Sequence, residues 1–304
     1  MRAQTYIAAA LFTLWPAFAC MVALRENSPT TPLFIVSTAV LIVFLLVGRW
    51  DFTGYYLRYA LFFTFLAVTW WKWQWRIPVV VSAAALLGWT LLIRTPAGKA
   101  INLAFPLAGG SFYIAHGGSS RLTNHHHDAN SQRYALDITK LDHAGCRAAG
   151  ILPRQLTQYW ILGEFVYSPC DGVVTAVVDG VPDATPGEMD GADSAGNHVV
   201  IRYGDDDVYV GLGHLLTGTV MVSRGDRIAT GQPLARVGNS GRSSEPHLHV
   251  HAKRGGNPES MLDGEAVPTR FEGKWLVRNT VVRRASLQRV TPFPAHLESA
   301  ARAH

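Results

Sequence analysis

The sequence predicts two regions of different character: an α-helical membrane region of about four spans, then an all-β soluble domain. Three observations carry this. The first hundred residues hold four nearly uncharged apolar runs rich in Leu, Val, Phe and Trp. From about residue 100 glycine, aspartate, arginine and histidine appear, and short β-branched runs alternate with turn signals. Near the end of that second region stands His247-Leu248-His249-Val250-His251. Strand side chains alternate between faces, so its histidines project to one side.

The apolar runs cover residues 4–24, 33–48, 56–72 and 77–93. Each approaches the roughly 20 residues that cross a bilayer. Trp50, Trp70, Trp71, Trp73 and Trp75 sit at run ends, as in an aromatic belt. The last two runs are short, which leaves three spans as an alternative, and a buried helical bundle is the competing reading. A cleaved signal peptide does not account for four runs. With four spans, Arg2, Arg49, Arg58, Arg94 and Lys99 flank one face, against Arg25, Lys72 and Arg76 on the other. That bias mildly favours a cytoplasmic placement of the second region.

The domains expected are a transmembrane helical region at 1–98, a β domain at 99–255 and an extension at 256–304 that packs on it. Phe112-Tyr113-Ile114 and Tyr134 to Ile138 read as strands, and His125-His126-His127 as a loop cluster between them. Residues 141–165 read as irregular. Pro169-Cys170-Asp171-Gly172 turns the chain into a strand, and 198–203 with 208–212 form a hairpin around Gly204-Asp205-Asp206-Asp207. Gly238-Asn239-Ser240-Gly241 is a turn that delivers the chain into the histidine strand. Cys146 and Cys170 lie in the β domain, where a disulfide and two separate thiols are both open. The net charge of +5 suits an anionic lipid or wall polymer and is too scattered for nucleic acid.

Imidazoles on one face of an apolar strand are costly unless something uses them, and a divalent metal is the usual user. A catalytic zinc takes three protein ligands and keeps a fourth position open. One histidine of the 125–127 cluster, Asp137 and His249 are the ligand candidates. His247 and His214 remain to take a proton and to stabilise an oxyanion. Taken singly, each has a plainer reading: a solvent-facing strand for His-x-His, a turn cap for Asp137, a loop residue for His214.

The stretch from Phe105 to Ala252 resembles the lysostaphin/LytM-like zinc metallopeptidases, the peptidase family 23 metalloendopeptidases. The resemblance rests on Tyr134-Ala135-Leu136-Asp137, Pro169-Cys170-Asp171-Gly172-Val173-Val174, Gly213-His214-Leu215, the run from Gly225 to Gln232, and the block from Gly238 to His251. It implies a two-layer antiparallel β sandwich with a metal-containing groove. It implies Zn2+ as cofactor, Asp137 and His249 as ligands, and His214 and His247 as catalytic histidines. The implied substrates are cross-link or stem peptides of peptidoglycan.

The sequence departs from the common pattern at Arg133, which occupies the place of the first ligand histidine. A variant with Asn-x-His, a spacer and Gln-Arg-Tyr-Ala-x-Asp fits Asn124-His125-His126 and Gln132 to Asp137. It points to His126 as the first ligand, with His125 second and His127 lining the site. His251 lies behind the ligands or in the groove wall, and the extension carries no chemistry. The alternative function is a non-catalytic LytM-like wall-binding or regulatory module. A biotinyl or lipoyl carrier is disfavoured because no lysine lies between Lys140 and Lys253. A wall substrate places the domain on the periplasmic or exterior side of the bacterial cytoplasmic membrane, with the lipid bilayer as a second partner.

Overall fold

The computed structural model describes residues 48–71, 99–189, 194–204 and 206–285, with isolated positions between 36 and 45. One α-helix is defined end to end, α1 (Leu57–Trp71). The strands are β1 (Ile101–Leu103), β2 (Gly110–His116), β3 (Leu136–Leu141), β4 (Phe165–Tyr167), β5 (Gly172–Val178), β6 (Asn197–Tyr203) and β7 (Val208–Leu215). They continue with β8 (Arg227–Ile228), β9 (Pro233–Arg236), β10 (Leu248–Arg254), β11 (Glu265–Ala266), β12 (Thr269–Phe271) and β13 (Val281–Arg284).

Nine of them form one sheet in the order β13-β2-β3-β10-β7-β6-β5-β8, with β11 paired to β10. Every pairing in it is antiparallel. The second layer expected of a sandwich is slight: two two-stranded sheets, β4 with β9 and the parallel pair β1 with β12. Alternation explains why they lie where they do. Phe112 and Ile114 of β2, Leu136 and Ile138 of β3, Val210 and Leu212 of β7, and Leu248 and Val250 of β10 belong to one buried cluster. Leu103, Val166, Leu234 and Phe271 of the small sheets join the same cluster. The opposite face of β3 and β10 carries Asp137, Thr139, His249, His251 and Lys253, all buried.

The expectation of four helical spans is corrected. Among the described residues no helix is long and apolar enough to cross a membrane. The run at 56–72 becomes α1, whose 15 residues extend roughly 22 Å against a hydrocarbon core of about 30 Å. Residues 4–24 and 77–93, and most of 33–48, lie outside the described residues. The placement as an integral membrane protein, and the bilayer as partner, lose their support with the spans. The residues ahead of α1 pack on the β domain, whereas α1 itself leaves Leu57, Tyr59 and Phe63 exposed. Trp50 and Phe65 are buried. Tyr55 packs edge-on against Tyr113 of β2, with ring centroids 5.9 Å apart, and the Trp50 amide donates to the Tyr113 hydroxyl at 3.1 Å.

Candidate metal centre and catalytic groove

Strand pairing assembles the centre. In the β10–β3 ladder His249 stands opposite Asp137, and in the β10–β7 ladder it stands opposite Gly213. His249 Nδ1 lies 3.0 Å from Asp137 Oδ1. The third member arrives from outside the sheet, on a single 3-10 turn spanning His125–Asp128. The buried Asn124 caps that turn. Its side-chain oxygen accepts from the His126 amide at 3.1 Å. Its amide group donates to the carbonyls of Gly118 at 3.1 Å, Arg133 at 3.2 Å and Ala135 at 3.0 Å. This one side chain ties the loop to the start of β3, so His126 Nε2 comes within 3.1 Å of both Asp137 oxygens.

His126, Asp137 and His249 offer one ligand atom each, all within 4.8 Å of one another. Ligands of a tetrahedral zinc stand roughly 3.3 Å apart for bond lengths near 2.0–2.1 Å. Two imidazole nitrogens and a carboxylate form the N/O donor set that zinc accepts. The residues therefore fit the metal. Of the loop histidines, His125 is more distant, with Nδ1 3.8 Å from Asp137 Oδ2 and a side chain 54% exposed. His127 belongs to neither group of clustered metal-ligating side chains.

The second such group is His116, His125 and Asp137. It shares its carboxylate with the first. The Arg278 guanidinium donates to His116 Nδ1 at 2.7 Å, so a second cation there would face a fixed positive charge.

His247 and His214 lie side by side above the centre, with ring centroids 4.7 Å apart. His247 Nε2 is 3.6 Å from Asp137 Oδ1, and its Nδ1 donates to the Glu245 carbonyl at 2.8 Å. His214 Nδ1 donates to the Ser240 carbonyl at 2.9 Å. A carbonyl only accepts, so in both rings Nδ1 carries the hydrogen and Nε2 is left for the groove. Among the described residues His214 is one of three non-glycine residues with positive φ, at 59°. Strict alternation would send it into the core with Val210 and Leu212, and the left-handed backbone turns it to the groove instead, at a cost of about 1 kcal/mol or more. Arg242, His125, His126, Asp137, His214 and His247 are among the residues lining that groove.

Charge and burial set the protonation of these groups. Burial pushes His214 down to about 3. Burial also takes His249 well below the usual histidine value, against the Asp137 carboxylate. Burial opposes the charged form of His247 too, but there the Asp137 carboxylate outweighs it and the net shift is upward. Burial alone would raise Asp137, whereas His126 and His247 hold it well below the carboxylate range.

The structure brings all five expected residues, His126, Asp137, His214, His247 and His249, around one groove. It also reveals partners that the sequence did not advertise. The Glu245 carboxylate, two residues before His247, pairs with Arg147 at 2.6 Å and Arg49 at 2.7 Å. Arg49 pairs in turn with Asp51 at 2.6 Å. The network pins the residue whose carbonyl orients His247. Its one signal in the sequence is an acid placed beside the His-x-His strand. Arg278, from the extension, also donates to the Ala115 and Leu122 carbonyls at 2.9 and 3.0 Å. Cys146 and Cys170 are free thiols.

The sequence profile of Peptidase family M23 matches residues 161–261. No curated protein matches the chain. Solved structures similar to it include a catalytic-domain variant of the prophage-encoded M23 protein EnpA from Enterococcus faecalis, at 16% identity and a TM-score of 0.30, covering 58% of this chain and 95% of that one. The lysostaphin catalytic domain from Staphylococcus simulans is 20% identical with a TM-score of 0.25, covering 32% of this chain and 64% of that one. A zinc-containing peptidase from Vibrio cholerae is 21% identical with a TM-score of 0.27, covering 60% of this chain and 39% of that one. The profile match indicates a metallopeptidase, and the clustered His and Asp side chains are of the kind a metal needs. The chain carries a peptidase family M23 domain at residues 161–261.

Proposed function

We propose that this chain is a zinc-dependent endopeptidase. His126, Asp137 and His249 hold the metal, His214 and His247 are the catalytic histidines, and the substrate is a cross-link or stem peptide of peptidoglycan. The observation that carries the reading is the convergence of three ligand atoms within 4.8 Å beside two imidazoles whose Nε2 atoms are left free by carbonyl-bound Nδ1 atoms.

When bound, zinc supplies Lewis acidity. The protein supplies orientation and proton movement. The scissile carbonyl lies across the groove within reach of His247 and His214. One imidazole, bare at Nε2, takes a proton there from the attacking water, and the other, as the imidazolium, donates at Nε2 to the oxyanion of the tetrahedral species. Collapse breaks the C–N bond, and the proton passes from the imidazolium to the leaving nitrogen. Fixed Nδ1–H bonds hold both rings in register through this exchange, so little reorganisation remains at the transition state. The basic net charge of +5 favours approach to an anionic polymer.

The test is zinc content and peptide hydrolysis by the full chain beside Asp137→Ala, His126→Ala and His247→Ala. One zinc per chain, lost in the first two variants, supports the ligand set. His247→Ala should keep zinc and lose about 10²–10⁴-fold in kcat. Failure of the wild-type chain to bind zinc would sink the reading and leave a wall-binding or regulatory module.

A further inference from the structure

His251 takes no part in the chemistry above, yet it is 2% exposed and lies directly behind His249. Its surroundings determine where its hydrogen sits. His251 Nε2 is 2.8 Å from the Met261 carbonyl oxygen. That oxygen has no hydrogen to give, so Nε2 is the donor. In the neutral ring Nδ1 is then a lone pair, and it lies 3.0 Å from His249 Nε2. A lone pair there requires the hydrogen of His249 to sit on Nε2. His249 Nδ1 is thereby left bare, and Nδ1 is the atom 3.0 Å from Asp137 Oδ1. Two acceptors at that distance repel each other unless a cation lies beside both.

The chain of contacts starts from a loop that is itself held. Lys253, 1% exposed, donates to the Asn257 carbonyl at 2.7 Å and pairs with Asp263 at 2.7 Å. Strand β11 closes the loop by pairing back on β10, with Glu265 opposite Arg254. Met261 covers β7 where that strand has no side chains. A Cβ on Gly211 would lie 2.8 Å from Met261 Cε, and one on Gly213 would lie 3.3 Å from it. Gly211 is the register partner of His251 and Gly213 that of His249. The Gly-x-Gly spacing in β7 is thus the space that lets Met261 approach His251.

We propose that His251 is a positioning residue: the Met261 carbonyl fixes its tautomer, and it in turn fixes that of His249, so that the Nδ1 lone pair of His249 is presented beside Asp137 to the metal. The proposal deepens the zinc reading and rests on it for the identity of the cation. Hydrogen-bonded neighbours of a ligand imidazole act in this way generally, and their loss costs about 10–100-fold in metal affinity.

The experiment uses the full chain. Long-range 1H–15N spectra of the histidine-labelled protein at pH 8, loaded with zinc or with diamagnetic cadmium, report the tautomer of His249. Chelator competition reports zinc affinity for wild type, His251→Phe and His251→Gln. The wild type should show His249 with hydrogen on Nε2. His251→Phe should lose that signature and bind zinc about 10–100-fold more weakly. His251→Gln, whose amide can accept from His249 and donate to Met261, should keep the signature and most of the affinity. The proposal is overturned by hydrogen on Nδ1 of His249 in the wild type. A folded His251→Phe protein with unchanged spectrum and affinity overturns it equally. If the Phe variant does not fold, the wild-type spectrum and the Gln variant decide. A wild type that shows the Nε2–H tautomer with cadmium but binds no zinc would remove the zinc reading and leave the relay standing.

Discussion

Replacing Arg147 by Met should destabilise the protein in a way that depends on pH. Arg147 is 1% exposed. Its Nη2 lies 2.6 Å from Glu245 Oε2, its Nε donates to the same oxygen at 2.8 Å, and its guanidinium lies 3.6 Å from the Phe52 ring centroid. Removing one partner of a buried pair costs about 3–5 kcal/mol. Two features reduce that. Arg49 remains beside Glu245 at 2.7 Å. Arg147 Nη1 is buried with no hydrogen-bond partner, and its removal relieves a penalty of about 1–3 kcal/mol. The net loss at pH 7 is then about 2 kcal/mol, or a fall in Tm of roughly 4–8 °C for a domain of this size. The Glu245 carboxyl supplies the pH dependence. Burial pushes it up, but Arg147 and then Arg49 outweigh burial and hold it down at about 2, against an ordinary value of 4.5. A depressed carboxyl contributes stability above its unfolded value and loses it as pH falls toward its folded value. The contribution, about 3 kcal/mol for a shift of this size, is complete at pH 7 and fades between pH 4.5 and 2. The Tm gap between wild type and Arg147→Met should therefore narrow as pH falls through that window. Thermal unfolding of both full-length proteins at pH 7 and pH 3 checks it. A gap that stays constant with pH, or none at pH 7, refutes the argument.

Three further outcomes are expected. Asn124→Ala should free the loop that carries His126 and weaken zinc binding, read by chelator competition, while Asn130→Ala, whose amide donates to the Gly264 carbonyl away from the site, should leave it unchanged. Gly238→Ala should destabilise by about 1–3 kcal/mol in denaturant unfolding, because the added Cβ would overlap the Leu216 backbone and the Asp183 carboxylate. Cys170, buried and with its thiol pushed up to about 12 by burial and then by Asp171, should resist alkylation at pH 8 in the folded chain and react once it is unfolded.

The strands of the site were legible because their two faces have opposite chemistry. Leu248, Val250 and Ala252 against His247, His249 and His251 is a pattern a sequence can show. The Asn124 cap was legible only as a motif, since its three carbonyl partners are spread from Gly118 to Ala135. His214 was placed in the site by its neighbours in sequence, whereas the positive φ of 59° that puts it there leaves no compositional trace. The apolar run at 56–72 misled because apolar composition fixes neither the length of a helix nor what its exposed side chains, here Leu57, Tyr59 and Phe63, face. Arg49 was read as a flanking charge of such a run, yet its partner Glu245 lies 196 positions away. Arg278 and His116 are likewise 162 positions apart. Sheet order and long-range ion pairs of this kind depend on which strands meet, and periodicity within one strand does not encode that.

The division of β10 into an aliphatic face and an imidazole face has a consequence for folding errors. Slipping β10 by one residue against β3 and β7 would turn Leu248, Val250 and Ala252 away from the core and drive His247, His249 and His251 into it. One displaced ladder would thus forfeit aliphatic burial and strand three imidazoles without their oxygen partners. Misregistered chains are penalised twice, so the imidazole face acts as a proofreader of the strand that carries it.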